Sequence, residues 1–402
     1  MEIDNRFEQL LIQSKKVFSD AFNTKAKATV SCPGRINILG EHTDYMGGLS
    51  LPAAISRYTM LSYAPIKEKR FRFWSEAHKE FWETDASLTT KPKKNWQLFA
   101  YGALSIIKEL LRDRPNDLQE LEGACFSVIG NIPLGKGLSS SASLELCILN
   151  SLYQLFSLKV DPMDSIRYAQ RIEHEFLGVP SGLLDQFACQ FSNKQKIQMV
   201  DFHDLSLRQE PHQGLEDWRW VSVDSGVKRT LGSSEYPKRV KQCEQALAKI
   251  KEHKAAVNNY RQIENDDLKF LDQDKTLRAR IEHMLTENQR TRMGFESLVK
   301  GDIKTLGHLL NQSHESLRDL FEVSTNELNF LQQVASMHPF CAGARIMGGG
   351  FGGCTLNLVK ADHCEEFLTE VLGAYHKEFH IKGQGFVFDL VDGVKVFDAC
   401  ND

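Results

Sequence analysis

A glycine- and serine-rich loop that runs directly into an apolar helix constrains the fold of this chain more than any other feature. The loop, PLGKGLSSSAS at residues 133–143, follows a strand-like segment, LEGACFSVIG, and leads into the helical pattern SASLELCILNSLYQLFSL. Glycines let a backbone wrap around a phosphate, serine hydroxyls add donors, and a helix N-terminus supplies a positive dipole end. A helix-capping serine would explain one serine of the loop, but three consecutive serines poorly. The segment predicts a strand, a phosphate-binding loop and a buried helix.

Two common nucleotide-binding folds are excluded by the residues around the glycines. The spacing G-x4-G-K that begins at Gly130 matches a Walker-type loop, but Gly137 stands where that motif needs serine or threonine. A second loop, GGGFGG at residues 348–353, contains the dinucleotide pattern G-x-G-x-x-G, yet residues 354–359 alternate like a strand where a helix should follow. The second loop is either a bare backbone that approaches a ligand or a plain glycine hairpin.

Polar side chains cluster in a third segment, PGRINILGEHTDY at residues 33–45. Arg35, Glu41, His42 and Asp44 follow one apolar strand and precede another apolar stretch. A polar turn between strands is the ordinary interpretation, but such clustering brings together donors and acceptors that suit a hydroxyl-rich ligand. One histidine with two carboxylates at this spacing matches no usual zinc site.

Three further residues have ordinary explanations when each is taken alone. Asp185 lies among apolar neighbours in GLLDQF, just after a glycine, where it needs a partner or a function if it is partly buried. Helix capping is its simplest role. Glu173, on the helical pattern that ends at Gly178, is by default a solvated surface residue, and Trp96 is by default a core aromatic.

The order of the predicted elements indicates two α+β domains. Strand and helix signals mix up to about residue 205, and long, charged, helically periodic segments follow between residues 236 and 335. We therefore expect an N-terminal domain at residues 1–205, with the polar cluster and the phosphate loop, and a C-terminal domain at residues 206–402, with the helical segment and the second glycine loop. The final strand could belong to either domain.

Composition excludes several classes of protein. The 402 residues are 42% hydrophobic with a formal charge of −4, which leaves no basic footprint for nucleic acid. The basic run at residues 67–72 is short and mixed, which is typical of a solvated face. No stretch approaches the roughly 18 apolar residues of a membrane span. The first residues lack the pattern of a signal peptide and predict an amphipathic helix with Phe7, Leu10, Leu11 and Phe18 inward.

Cysteine usage indicates a reducing compartment. The nine cysteines are odd in number and contain no C-x-x-C pair. This pattern argues against a disulfide framework or a metal cluster, and most of these cysteines are expected to be small buried hydrophobes. We therefore expect a cytoplasmic protein. No separate oligomerisation element is visible, so a monomer is the default expectation.

Taken together, the three loops resemble the galactokinase branch of the superfamily that includes homoserine, mevalonate and phosphomevalonate kinases. GRINILGEHTDY is similar to the galactokinase signature, PLGKGLSSSAS to the superfamily phosphate loop, and GGGFGG to its third motif. The segment GSSEYP at residues 232–237, Gly301-Asp302 and the run NQSHESLRD also fit the galactokinase pattern. The likeness extends from about residue 20 to the C-terminus.

This resemblance implies a two-lobed α+β fold with the active site in the cleft between its domains, and transfer of the γ-phosphoryl group of ATP to the C1 hydroxyl of galactose. The catalytic residues carried over by position are Asp185, which would face the anomeric hydroxyl, and Arg35 beside it. The sugar-binding residues would be Glu41, His42, Asp44, Gly182 and Tyr236. The nucleotide-binding residues would be Trp96, near adenine, and Gly135, Lys136, Gly137, Leu138, Ser139, Ser140 and Ser141. The ligands of Mg²⁺ would be Ser141 and Glu173.

The implied chemistry suits these residue types. Phosphoryl transfer depends mainly on positioning and charge stabilisation, and Mg²⁺ favours a few oxygen ligands plus phosphate. Asp185 would accept the C1 hydroxyl proton while Arg35 keeps it ionised. Whether Asp185 removes the proton outright or only orients the hydroxyl stays open.

Three positions depart from the usual galactokinase pattern, and they keep alternatives open. Met46 stands where asparagine is expected, Lys136 where a small residue is usual, and Met347 where threonine is common. Lys136 is compatible with phosphate. The two methionines each remove a polar group, so a related sugar such as N-acetylgalactosamine is an alternative substrate. A non-catalytic sugar sensor is a further alternative, which the intact serines and Asp185 disfavour.

Overall fold

The computed structural model describes residues 2–112, 123–179, 181–227 and 232–398. Its strands are β1 Ala28–Asn37, β2 Leu49–Ser50, β3 Pro52–Ile66, β4 Arg70–Ser75, β5 Glu80–Asp85, β6 Gly123–Gly130, β7 Lys196–Asp201, β8 Ser206–Pro211, β9 Trp218–Asp224, β10 Cys341–Met347, β11 Cys354–Lys360, β12 Gln384–Phe388 and β13 Lys395–Asp398. Its helices are α1 Glu2–Phe22, α2 Asn95–Leu110, α3 Ser140–Leu155, α4 Pro162–Arg171, α5 Leu184–Phe191, α6 Gly232–His253, α7 Lys275–Lys300, α8 Ile303–Asp319, α9 Asn326–Met337 and α10 Cys364–Phe379. The predicted α+β class is confirmed.

The chain forms two compact units that exchange segments. The first unit contains Met1–Arg35, Ala54–Asn193 and Leu390–Asp402, and the second contains Ile36–Ala53 and Lys194–Asp389. The domains predicted at residues 1–205 and 206–402 divide the chain once, whereas these units are interleaved. The final strand, β13, pairs antiparallel with β1 and lies in the first unit.

The first unit is built on a six-stranded sheet in the order β13-β1-β3-β6-β4-β5, in which only β4 and β6 among the described pairs run parallel. Successive strand residues face opposite sides, so alternate residues of β6 enter different cores. Phe126 packs with residues of α2 and α3, whereas Cys125 and Ile129 pack against α1. The predicted inward face of α1 is confirmed, because Leu10 and Phe18 are buried.

The second unit contains an antiparallel sheet in the order β10-β11-β9-β12 and a small sheet in the order β2-β7-β8. The two long charged helices predicted after residue 236 are α6 and α7, which pack together with α8 in one hydrophobic cluster. The second glycine loop joins β10 to β11, which pair from Met347 with Cys354 onward. The predicted strand, glycine loop and strand are therefore confirmed.

The structure bears on two expectations from the sequence, about membrane-spanning segments and about the burial of the cysteines. Within the described ranges, no helix has both the length and the apolar character needed to cross a membrane. Of the cysteines described, Cys341 is partly buried and the others are buried. This confirms that most of them act as small core hydrophobes.

Candidate active site

The predicted phosphate loop passes from β6 to α3 through left-handed backbone positions. Gly135 and Gly137 have φ values of 73° and 72°, which glycine adopts without strain. Ser139 has a φ of 58° and directly precedes α3. Its side chain makes no capping hydrogen bond to that helix, and its hydroxyl donates instead to the carboxylate of Asp185. A simple capping role for this serine is therefore wrong.

The remaining loop residues surround this turn. Leu138 is buried and its carbonyl accepts a 3.2 Å hydrogen bond from the Arg35 amide, while Lys136 is partly buried. Ser140 and Ser141 form the first turn of α3. The loop thus presents glycine backbone, serine hydroxyls and a helix N-terminus together, which is the arrangement that binds phosphate.

Arg35 and Asp185 form a partly buried ion pair in the first unit. Both Nε and Nη2 of Arg35 lie close to Asp185 Oδ1, at 2.7 Å and 2.6 Å, and Nη1 donates to the Gly137 carbonyl at 2.6 Å. Asp185 lies in the first turn of α5 but does not cap it, so the capping interpretation is wrong. Arg35 is 9% exposed, whereas the Asp185 side chain is 31% exposed, so the carboxylate is fixed on one side and accessible on the other.

Glu173 lies in a buried carboxylate cluster of the same unit. It is 8% exposed, so the default expectation of a solvated surface residue is wrong. Its carboxylate accepts hydrogen bonds from Ser141, Ser181 and Gln186. Burial and repulsion from Asp185 raise the pKa of Glu173. Such a concentration of negative charge is stabilised by a cation.

Glu145 extends this cluster into the protein. It is fully buried on α3, and Gln186 Nε2 lies 3.5 Å from its Oε2. Burial, followed by repulsion from Glu173, raises the pKa of Glu145. The Oε1 atoms of Glu145 and Gln186 are buried without a hydrogen-bond partner. The described residues contain no group of three or more histidine, cysteine, aspartate or glutamate side chains arranged to hold a metal ion.

A largely apolar cavity of about 320 Å³ lies beside the start of α3 in the first unit. Its lining includes Phe73, Trp96, Leu144, Ser140 and Ser141. Trp96 stacks on His78, with ring centroids 5.6 Å apart and an angle of 18° between the rings. The cavity therefore combines flat aromatic walls with the serines of the phosphate loop, which suits a planar base that carries phosphates.

Glu41 is held by its own unit, the second. Its Oε1 accepts a 2.7 Å hydrogen bond from the Gly348 amide, at the start of the second glycine loop. Its Oε2 accepts from Asn37 at 2.9 Å and lies 3.3 Å from the buried guanidinium of Arg345. Arg345 also donates to the Ile38 carbonyl at 2.9 Å. The polar segment that contains Glu41 and the second glycine loop are therefore connected through one carboxylate.

His42 lies in an aromatic cluster with Tyr45, Tyr236 and Phe321, all in the second unit. Its ring centroid lies 5.3 Å from that of Tyr236 and 4.7 Å from that of Phe321. Its Nδ1 is 3.3 Å from the Tyr45 hydroxyl, and its buried Nε2, near the Gly349 backbone, makes no hydrogen bond of good geometry. A buried ring nitrogen in this state suits a ligand hydroxyl.

The predicted site residues divide between the two units. Asp44 begins a short 3₁₀ turn, Asp44–Met46, in the second unit, which also contains Glu41, His42 and Tyr236. Gly182 precedes α5 in the first unit, with the predicted catalytic, nucleotide-binding and metal-binding residues. Within each unit the structure brings the predicted residues together.

The two unusual methionines both contribute to apolar packing. Met46 packs with Tyr45 against the hydrophobic cluster of α6, α7 and α8. Met347, the last residue of β10, is 1% exposed. Both side chains are therefore accounted for by packing.

Several residues of the site were not found from the sequence. Arg345 stood as a lone charge in an apolar strand before three glycines, and this could have marked it as a buried partner. Ser181 and Gln186 flank Asp185 in sequence but carried no signal of their own. His283 and Glu287 lie on the charged helix α7 and looked like surface residues.

Three family descriptions match the chain. The description "GHMP kinases N terminal domain" matches residues 99–193, "Galactokinase galactose-binding signature" matches residues 16–65, and "GHMP kinases C terminal" matches residues 295–376. The crystal structure of the mevalonate kinase of Methanococcus jannaschii, 18% identical over 90% of this chain and 98% of that chain, shares the fold with a TM-score of 0.65. The fold and the phosphate loop define a GHMP kinase.

Closer relatives are more specific. The galactokinase of Thermotoga petrophila is 37% identical over 91% of this chain and 99% of that protein, and the galactokinase of Lactobacillus helveticus is 33% identical over 94% and 98%. The crystal structure of Lactococcus lactis galactokinase complexed with galactose matches with a TM-score of 0.87 at 31% identity, over 96% of this chain and 99% of that chain. The chain belongs to the galactokinase family, and it is an ATP-dependent sugar kinase.

Three buried histidines make the second unit sensitive to acid. Burial lowers the pKa of His42 to about 3 and the pKa values of His283 and His314 to about 4. In the unfolded chain a histidine binds a proton near pH 6.5, so acid favours unfolding as the pH falls below that value. Between about pH 7.5 and 5.5 each of the three should remove about 1.4 kcal/mol of stability.

Urea unfolding of the full chain at these two pH values measures this loss of stability. His314→Gln should remove about 1.4 kcal/mol of this difference, because glutamine does not titrate. His308→Gln, at an exposed position of the same helix, is the control and should leave the pH dependence unchanged. An equal pH dependence in all three proteins would contradict the assignment of neutral buried histidines.

Proposed function

We propose that this chain transfers the γ-phosphoryl group of ATP to the C1 hydroxyl of D-galactose, producing galactose 1-phosphate and ADP in galactose catabolism. The observation that carries the proposal is the fixed but accessible carboxylate of Asp185, held by Arg35 and Ser139 where the phosphate loop enters α3. The choice of sugar is supported by the galactose-binding signature and by the printed names of the relatives.

Asp185 would act on the attacking hydroxyl of the sugar. Its Oδ1 is engaged by Arg35, and its Oδ2 accepts from Ser139, so the carboxylate plane is set before substrate arrives. A carboxylate in this position accepts the hydroxyl proton as the oxygen attacks phosphorus, and the neighbouring guanidinium stabilises negative charge that develops there. Because positioning supplies most of the rate in phosphoryl transfer, fixing this one group is worth more than adding reactive groups.

Mg²⁺ would be held by Ser141 and Glu173. The donor set fits, since both provide hard oxygen ligands, and the buried Oε1 atoms of Glu145 and Gln186 beside them lack hydrogen bonds. Two protein ligands are typical of a Mg²⁺ ion that also binds substrate phosphates. When bound, the ion would neutralise charge on the phosphates of ATP.

The other predicted residues would bind the two substrates. Adenine would lie in the cavity beside Trp96, and the phosphates would lie against the backbone of residues 135–141. The buried Nε2 of His42 and the Tyr236 ring, together with Glu41, Asp44 and Gly182, would recognise sugar hydroxyls. We also propose that the chain acts as a monomer in the cytoplasm; the cytoplasmic location is supported by the described cysteines, which are free thiols.

The test of this function is ADP release from ATP and a divalent metal across a panel of sugars. Galactose should be turned over best, with the phosphate at C1 by NMR, and glucose, N-acetylgalactosamine, galacturonate, arabinose and mevalonate should be poor substrates. Turnover of another panel member in place of galactose would overturn the choice of sugar. Sugar binding without turnover on any of them would indicate a sensor.

Removing either member of the ion pair should nearly abolish turnover while the fold survives. We expect Asp185→Ala and Arg35→Ala to lower kcat by roughly 10²–10⁴-fold, because each removes a group that acts on the reacting hydroxyl. Initial rates with saturating galactose and ATP measure kcat, and circular dichroism checks the fold. Asp164→Asn, an exposed carboxylate of α4, is the control. Substantial activity in either alanine variant would remove that residue from the mechanism.

Glu173→Gln should lower the affinity of the protein for Mg²⁺ while leaving the fold intact. We expect the Mg²⁺ concentration for half-maximal activity to rise about tenfold, since a neutral amide is a weaker ligand for a hard cation. A second readout is the Mg²⁺-dependent thermal stabilisation of the protein with ADP. Glu175→Gln, at the neighbouring exposed position, is the matched control. Unchanged metal dependence in Glu173→Gln would exclude Glu173 as a ligand.

A further inference from the structure

One buried face of α7 holds the backbone of the sugar-binding segment, which we define as residues 40–49. Three side chains make the contacts: His283, Glu287 and Asn288. Residues four apart on a helix share a face, so His283 and Glu287 project together, and Asn288 lies beside them. All of these residues belong to the second unit. The segment is therefore held by side chains more than 200 residues away in the sequence.

Glu287 makes the strongest of these contacts. Its side chain is 0% exposed, and its Oε1 accepts from the Gly40 amide at 3.0 Å and from the Ser313 hydroxyl at 2.8 Å. Its Oε2 accepts from Arg290 at 2.7 Å. Burial alone would raise the pKa of Glu287, but Arg290, followed by His283, Arg345 and the Gly40 amide, together outweigh it and lower that pKa to about 2. The carboxylate is thus ionised and fully used by its neighbours.

Gly40, whose amide donates to Glu287, lies where the backbone of the segment is most tightly constrained. Its φ is +91°, and a Cβ at this position would lie 2.2 Å from the Leu49 carbonyl oxygen. Only glycine fits there, because the two ends of the segment approach each other closely. The amide of Leu49 donates to Asn288 Oδ1 at 2.9 Å. Both ends of the segment are therefore bonded to adjacent residues of α7.

His283 holds the segment between these ends. Its Nε2 lies 3.2 Å from the Glu41 carbonyl, which can only accept, so Nε2 carries the proton. Its Nδ1 then accepts from Ser316, 2.8 Å away, as a neutral ring does. The same ring lies against Phe321, which also lies against the ring of His42. The placement of His42 thus depends on α7 through a second route.

We propose that Glu287 is a positioning residue for sugar recognition, which from α7 fixes the Gly40 amide and thereby the placement of Glu41 and His42. The inference rests on the proposed function, in which those two residues bind the sugar. Glu287 lies outside the galactose-binding signature, which ends at residue 65. Without its carboxylate, the Gly40 amide and Arg290 would each lose a buried partner.

The test compares Glu287→Ala with Glu287→Gln in the full chain. In the alanine variant we expect the KM for galactose to rise at least about tenfold while the KM for ATP changes less than about twofold. Glutamine keeps an oxygen that accepts from Gly40 and Ser313, so it should restore most of the galactose KM. Hydrogen exchange of the peptide covering residues 36–53 should accelerate in the alanine variant and not in the glutamine variant.

Two further variants keep the test decisive. Leu331→Ala creates a cavity in the core cluster that contains β9 and α10, and it should lower the melting temperature without changing the galactose KM. If Glu287→Ala fails to fold, Asn288→Ala takes its place in the test. This variant removes the hydrogen bond to the Leu49 amide and should also raise the galactose KM. Equal changes in both KM values, or an unchanged galactose KM in Glu287→Ala and Asn288→Ala, would overturn the inference.

The proposed function is judged separately. Failure of the unaltered protein to phosphorylate galactose would sink that proposal. The exchange rates of residues 36–53 still report whether Glu287 holds the segment, because they need no turnover.

Discussion

Each unit of this protein is organised around a buried arginine, and the need to pair that charge shapes the site. Arg35 in the first unit donates to the Gly137 carbonyl and to Asp185. Arg345 in the second donates to the Ile38 carbonyl and lies against Glu41. A guanidinium removed from water needs acceptors for its N–H groups and a partner for its charge, and in each unit a carbonyl accepts from it and a carboxylate balances its charge. The same pairing that balances the charge therefore fixes a loop and a carboxylate of the candidate site together.

The buried carboxylates fall into two groups, those whose charge is compensated by nearby donors and those that repel one another. Glu41 and Glu287 are surrounded by donors, so their charge is compensated within the second unit. Glu145 and Glu173 are buried close to each other and have raised pKa values. A fold selected for stability alone would not keep such a repulsive cluster, because isolated buried charge is costly. A cation held there, as in the proposed function, would restore the balance, and the cluster would cost stability in the metal-free protein.

The sequence predicted the elements whose pattern is local. The phosphate loop, α1, α3, α7 and the strands on both sides of the second glycine loop follow from periodicity, glycine positions and turn chemistry. The strand β4 was missed, although RFRFWS alternates: Phe71 and Phe73 are buried while Arg70 and Arg72 pair with Glu83. Its charges suggested a solvated face, which is true of one side only. The interleaving of the units could not be read from the sequence, since residues 36–53 and 390–402 carry no boundary signal.

The residues of the candidate site also divide into those with a local sequence pattern and those without one. Residues such as Asp185 and Arg35 could be predicted because short motifs contain them, but the resemblance supplied their roles, and their ordinary explanations were caps and turns. His283 and Glu287 were out of reach for a physical reason. On α7 they stand among other charged and polar residues such as Arg280, Glu282 and Arg290, so the sequence pattern assigns them to a polar face. That face is buried because the backbone of residues 40–49 covers it, and a backbone leaves no hydrophobic pattern in the helix that binds it. A helix that packs against a loop backbone needs polar side chains, because they must pair with the amides and carbonyls of that loop. The polar face of α7 is therefore an internal contact surface and not a solvent-exposed one.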